Sequence, residues 1–71
     1  MKRVIVTGGG GFVGKAVVRL LLARGIEVTV IGRNPYPDIV TMGARVACGD
    51  IRDRDFLTAV FRYHDTVFHV A

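Results

Sequence analysis

The run Val4-Ile5-Val6-Thr7-Gly8-Gly9-Gly10-Gly11-Phe12-Val13-Gly14-Lys15-Ala16 constrains this chain more than any other stretch. β-Branched residues stop at a glycine cluster, and past Gly14 the apolar residues recur with helical spacing. That pattern predicts strand, tight turn and helix in succession. Such a corner suits an anion, because the first N–H groups of a helix lack internal partners and the macrodipole is positive there. A phosphate reaches those N–H groups only where no Cβ holds it away, which is the use of glycine at this place.

The remaining elements follow the same reading. Strand one, Arg3 to Thr7, is apolar at consecutive positions, as a strand covered on both faces should be. The helix from about Phe12 to Arg24 stops at Gly25, and its spacing predicts a buried face of Val13, Ala16, Val17, Leu20 and Leu21. Lys15 and Arg19 lie opposite, with Val18 and Leu22 on the outward side. Strand two is Ile26 to Ile31, and the prolines of Gly32-Arg33-Asn34-Pro35-Tyr36-Pro37 make a loop. Asp38 to Met42 has room for one or two helical turns, and strand three runs from Ala44 to Cys48. Asp53 is the expected N-cap of a helix from Arg54 to about Arg62, with Phe56, Leu57, Val60 and Phe61 as its apolar face. Strand four is Thr66 to Val70.

Strands alternating with helical segments imply right-handed βαβ units. The expected fold class is α/β, the N-terminal part of a Rossmann-type doubly wound parallel sheet in the order 3-2-1-4. The sheet is incomplete in this reading, because strand four lies at an edge although Thr66-Val67-Phe68-His69-Val70 is uncharged. Residues 1–71 are therefore expected to be an N-terminal fragment, with the rest of the domain covering strand four. The alternative is a complete small domain that forms a homodimer through that edge.

Composition narrows the function. Ten Lys and Arg against six Asp and Glu give a net charge of +4. The charges are scattered, with no run of five and no aromatic residues interleaved with a basic stripe, which argues against nucleic acid. The apolar run behind Met1-Lys2-Arg3 ends at Thr7 and the glycines, so no signal-peptide core follows it. No apolar run approaches the roughly 20 residues of a bilayer span, and no membrane partner is expected. The lone Cys48 forms no internal disulfide and fits a reducing, cytoplasmic setting. Cys48, His64 and His69 lack zinc-site spacing, so no metal is expected.

Two phosphate-binding patterns overlap on the glycines. Gly9-Gly10-Gly11-Phe12-Val13-Gly14-Lys15-Ala16 nearly fits the P-loop, but Ala16 stands where that loop needs a hydroxyl for Mg²⁺. Gly8-x-x-Gly11-x-x-Gly14 fits a dinucleotide turn, and it has the required strand before it and helix after it. In that pattern Gly8 allows the turn, Gly11 lets the pyrophosphate approach, and Gly14 lets the helix pack close to the sheet. Gly9 and Gly10 add flexibility.

Three successive motifs carry a resemblance. Thr7-Gly8-x-x-Gly11-Phe12-Val13-Gly14, Gly49-Asp50-Ile51-Arg52-Asp53 and Val67-Phe68-His69-Val70-Ala71 resemble, in order, the N-terminal motifs of the extended short-chain dehydrogenases/reductases. That group includes NAD-dependent epimerases and dehydratases and 3β-hydroxysteroid dehydrogenases. Tyr36-Pro37-Asp38 and the His69-Val70-Ala71 ending look nearest to its steroid dehydrogenase and 3-oxoalkanoate reductase branch. The resemblance implies a dinucleotide cofactor held by Gly8, Gly11, Phe12, Val13 and Gly14. It also implies that Asp50 bonds the adenine amino group, that Ile51 lies beside the ring, and that Val70 and Ala71 line the cofactor. It departs from the family at Tyr63, where glycine is common.

Cofactor choice follows from charge. A carboxylate at the end of strand two would bind the ribose hydroxyls of NAD and repel a 2′-phosphate. Here the place reads Gly32-Arg33, and a guanidinium suits a phosphate, so NADP is favoured over NAD. The alternative is that Arg33 is a solvated loop charge. The family's catalytic Tyr-x-x-x-Lys is absent: the two lysines, Lys2 and Lys15, do not follow Tyr36 or Tyr63 at that spacing. No catalytic residue is assigned, and this chain alone should be inactive. Tyr36 is expected to pack against its loop, His64 to be exposed in a turn, and His69 to be a hydrogen-bonded structural residue, with an imidazole on the cofactor side as the alternative. Cys48 should behave as a small buried hydrophobe, and the absence of serine excludes a serine nucleophile. The expected parent is an NADP(H)-dependent oxidoreductase, epimerase or dehydratase acting on a hydroxyl or carbonyl substrate. The alternative is a non-catalytic dinucleotide-binding or redox-sensing module.

Overall fold

A computed structural model of the chain describes residues 3–8, 11–62, 64 and 66–69. Gly9, Gly10, Tyr63, Val70 and Ala71 lie outside the described residues. The elements in order are β1 (Arg3–Thr7), α1 (Phe12–Ala23), β2 (Glu27–Gly32), α2 (Pro37–Thr41), β3 (Arg45–Cys48), α3 (Arg54–Phe61) and β4 (Thr66–His69). The strands form one parallel sheet in the order β3-β2-β1-β4, as the alternation of strands and helices predicts.

β1 is central, paired with β2 on one side and β4 on the other. Its Val4, Ile5 and Val6 are all fully buried, which explains its unbroken apolar run. Each such side chain contributes about 1.5–3 kcal/mol of burial. Successive strand residues face opposite sides of the sheet. Val4 and Val6 of β1 pack with Val28 and Val30 of β2, Val18 and Leu21 of α1, and Ile39 of α2 in one core. Ile5, Thr29 and Ile31 are buried on the other face.

The face of α1 differs from expectation. Gly14, Val18 and Leu21 are the buried residues, with Val17 and Leu22 half-buried. Val13 and Leu20 are 60% and 58% exposed, and Ala16 is exposed as well. The helix is rotated because it packs through Gly14, whose missing side chain carries no weight in an apolar periodicity but permits the closest approach to the sheet. Val18 therefore points inward, one i+4 step from Gly14.

Loop and cap chemistry closes the other elements. Gly25 follows α1 with φ 75, and its N–H donates to the Leu22 carbonyl at 3.0 Å. Lys15 of α1 pairs with Asp38 of α2, and that hydrogen bond holds the Asp38 carboxyl below its ordinary value. Asp53 caps α3 as expected, its Oδ1 accepting from the Phe56 N–H at 3.2 Å. No residue of α3 is fully buried.

Two other expectations are corrected. Cys48 is exposed, its Sγ donating to the Asn34 carbonyl at 3.3 Å, because β3 is an edge strand and not an interior one. His64 is half-buried, with Nδ1 2.6 Å from the Val60 carbonyl and Nε2 2.9 Å from Oγ1 of Thr29. Thr29 is a polar residue on an apolar strand, and its buried hydroxyl draws the imidazole inward.

Candidate functional site

The carboxyl ends of parallel strands, beside the strand whose neighbours are reached by opposite crossovers, are where ligands bind in such sheets. In this chain that crevice is the end of β1. Thr7 leads into Gly8, whose φ of 77 is a left-handed turn that glycine takes without strain. Gly11 is the N-cap of α1, with no side-chain cap and no acidic residue in the first turn. The starting N–H groups are thus left for a ligand or water. Among the described residues beyond its chain neighbours, a Cβ on Gly11 would meet nothing closer than the Gly8 carbonyl oxygen at 3.7 Å. Protein packing does not demand glycine here, whereas a ligand approaching the backbone would.

An open cavity of about 390 Å³ lies at these strand ends. Of the expected site residues, Gly8, Arg33 and Ile51 line it, together with Tyr36 and His69. Gly11, Phe12, Val13 and Gly14 stand at the start of α1 beside it; Phe12 is 94% exposed, and Gly14 is buried against the sheet. Val70 and Ala71 fall outside the described residues. His69 is hydrogen bonded, as expected of a structural histidine, through Nδ1 to Oγ1 of Thr7 at 2.6 Å.

Asp50 sits at the rim in a cluster that sequence spacing did not bring out. Its Oδ1 accepts from the Arg52 N–H at 2.9 Å, and the Arg52 guanidinium reaches both carboxylate oxygens, the shortest contact being 2.8 Å. Arg33 adds a longer contact at 3.5 Å. The Arg52 side chain, then the Arg52 N–H, holds the Asp50 carboxyl well below the usual carboxylate range, and Asp50 in turn raises Arg52. The signal was available. Asp-x-Arg is the spacing of an Asx-turn, and the pairing of Gly32 with Cys48 sets the residues after β2 beside those after β3.

Lys15 does not serve a P-loop. It is paired with Asp38, and Ala16 follows it. A larger cavity of about 540 Å³ opens at the opposite ends of the strands, near Arg3, Glu27, Thr29, Arg45 and His64. There Arg3 is neutralised by Glu27 at 3.2 Å and both His64 nitrogens are engaged, so it lacks the uncapped N–H groups of the glycine turn. Among the described residues no group of three or more His, Cys, Asp or Glu stands together, and no helix is long and apolar enough to cross a membrane.

Strand, glycine turn and helix, in a sheet of this order with an open crevice at the strand ends, define a dinucleotide-binding fold of the Rossmann type. Over residues 4–71 the chain matches the NAD dependent epimerase/dehydratase family, and it belongs to that family. It is 39% identical over 67 residues to a 2-alkyl-3-oxoalkanoate reductase of Stenotrophomonas maltophilia, covering 94% of this chain and 20% of that protein. It is 41% identical over 69 residues to a 3-beta-hydroxysteroid dehydrogenase of Mycolicibacterium neoaurum, covering 97% of this chain and 19% of that one. The structure of a UDP-glucose 4-epimerase of Thermus thermophilus in complex with NAD superposes with a TM-score of 0.80 at 38% identity, over 97% of this chain and 24% of that one. The chain thus spans about a fifth of the length of the curated relatives it matches.

Proposed function

We propose that this chain is the adenosine-binding part of an NADP(H)-dependent oxidoreductase of the extended short-chain dehydrogenase/reductase type. The observation that carries the cofactor preference is the end of β2, where Gly32-Arg33 places a guanidinium at the cavity mouth and β2 itself supplies no carboxylate, the nearby Asp50 carboxylate being engaged by Arg52. A carboxylate there would repel a 2′-phosphate, and a guanidinium offers it two parallel donors.

Each group at the crevice has a part in holding such a cofactor. The N–H groups at the start of α1 receive the pyrophosphate, and Gly11 leaves the space for it to approach. Gly14 keeps α1 close to the sheet so that those donors stand over the end of β1. Ile51, half-exposed at the rim, gives the adenine ring an apolar wall. In this reading Asp50 accepts from the adenine amino group; its contacts with Arg52 at 2.8 Å and Arg33 at 3.5 Å support a fixed carboxylate at the mouth. A bound nicotinamide dinucleotide supplies hydride transfer. The relatives named above include a reductase of oxoalkanoates, a steroid dehydrogenase and a nucleotide-sugar epimerase, which supports a substrate with a hydroxyl or carbonyl group of one of those kinds.

Arg33→Ala tests the reading. Losing a charged partner of the 2′-phosphate should raise the Kd for NADPH by roughly tenfold or more and leave that for NADH within about twofold. An equal effect on both cofactors would overturn the NADP assignment.

A further inference from the structure

Tyr36 is the one non-glycine residue with positive φ among the described residues, at φ 44 and ψ 67. For a bulky aromatic residue this left-handed backbone is strained, and strain of that kind concentrates where a side chain must be aimed. The surroundings hold it in place. Its carbonyl accepts from the N–H groups of Ile39 and Val40 at 3.0 and 3.3 Å, so the strained residue is also the N-cap of α2. Pro37 follows at the first helical position. Its ring is partly buried against the core.

The ring is aimed at the last residue of β2. A Cβ built on Gly32 would stand 2.6 Å from the Tyr36 Oη and 2.9 Å from its Cζ, distances that real Cβ atoms essentially never show. The phenol therefore occupies the volume that a side chain at Gly32 would enter, and would have to move aside for one. The same ring lines the cavity at the strand ends, next to Arg33. Gly32 leaves this place to the Tyr36 ring, and a carboxylate reaching the ribose from the end of β2 would have to displace the ring tip.

We propose that Tyr36 is a specificity-determining residue: its ring excludes a carboxylate from the end of β2, and its hydroxyl donates to the cofactor's 2′-phosphate beside Arg33. This rests on the NADP reading above. A phenol hydroxyl can donate, so it lends a hydrogen bond to a phosphate at a place where a carboxylate would repel it.

The test uses the intact protein and two probes, 2′,5′-ADP and 5′-ADP, which differ only in the 2′-phosphate, with Kd measured by calorimetry. The unsubstituted protein should bind 2′,5′-ADP the more tightly; equal or reversed affinities would overturn the NADP reading and this proposal with it. Given that preference, Tyr36→Phe, which keeps the ring, should weaken 2′,5′-ADP by roughly tenfold and 5′-ADP by less than about twofold. Loss in neither, or equal loss in both, would overturn the donor role of Tyr36 and leave the Arg33 reading standing. The steric half is tested separately. Gly32→Asp should weaken both probes, and adding Tyr36→Ala should restore 5′-ADP binding. If Gly32→Asp alone already shifts preference to 5′-ADP, the ring does not exclude the carboxylate.

Discussion

Oγ1 of Thr7 and Nδ1 of His69 lie 2.6 Å apart across two paired strand positions, the last of β1 and the last of β4. The bond ties the carboxyl ends of these strands at the rim of the cavity that both residues line. Among the described strands β4 pairs with β1 alone, so this contact bears directly on how well its end is held. In a double-mutant cycle of Thr7→Val and His69→Ala, urea unfolding should give a coupling of about 0.5–1 kcal/mol. A coupling of zero would mean that the bond does not persist in solution.

The Asp50 cluster makes a prediction about pH. Arg52 favours the ionised carboxyl in the folded chain, so the folded pKa lies below the unfolded one. The stabilisation it brings is then fully present above the ordinary carboxylate value and is lost only as pH falls through the depressed folded value. The group is solvent-exposed, and salt screens the gain, so the titration is the better readout. The Asp50 Cγ resonance should titrate well below pH 3.8 in the native protein and return close to that value in Arg52→Ala. An unchanged midpoint in the variant would show that Arg52 is not what depresses it.

His64 is the clearest tie between the end of α3 and the sheet. Since α3 has no fully buried residue, the bonds from His64 to the Val60 carbonyl and to Thr29 matter more for its docking than they would for a well-buried helix. His64→Ala deprives the buried Thr29 hydroxyl of this partner, which should cost about 1–3 kcal/mol. Amide hydrogen exchange should accelerate across Leu57 to Phe61 and stay nearly unchanged at Val18 to Leu22. Uniform acceleration through both helices would mean that α3 does not open as a separate unit.

The strand order and the strand–glycine turn–helix corner were legible in the sequence because they rest on backbone chemistry that residue type signals directly: an unbroken Val-Ile-Val run, glycines before a helical period, Asp53 before another. The rest depends on which neighbour a side chain meets. The rotation of α1 turned on Gly14, which an apolar count ignores, and His64 was drawn inward by Thr29, 35 positions away in the chain. The small flanks of Cys48 suggest burial, yet burial follows from strand order and β3 is at an edge. At the site, Arg33 and Asp50 were each named, but their meeting, and the anchoring of Asp50 by Arg52, required the register of β2 against β3. Tyr36 over Gly32 depends on a left-handed backbone at a tyrosine, which no residue propensity anticipates.

Gly11 separates folding from ligand binding in one substitution. Its φ of −83 and ψ of 178 are ordinary for any residue, and among the described residues beyond its chain neighbours nothing stands closer than 3.7 Å to its Cβ position. It is also the N-cap of α1, where glycine supplies no side-chain acceptor and serine would. Gly11→Ser should therefore leave the unfolding free energy unchanged or raise it by up to about 1 kcal/mol. Affinity for a dinucleotide should move the other way, because the new side chain stands where the pyrophosphate must come close to the backbone. Calorimetric titration with NADPH against chemical denaturation of the same variant reads both signs. If Gly11→Ser binds NADPH as tightly as the unsubstituted protein, the pyrophosphate does not approach at Gly11, and the glycine turn is not the cofactor's seat.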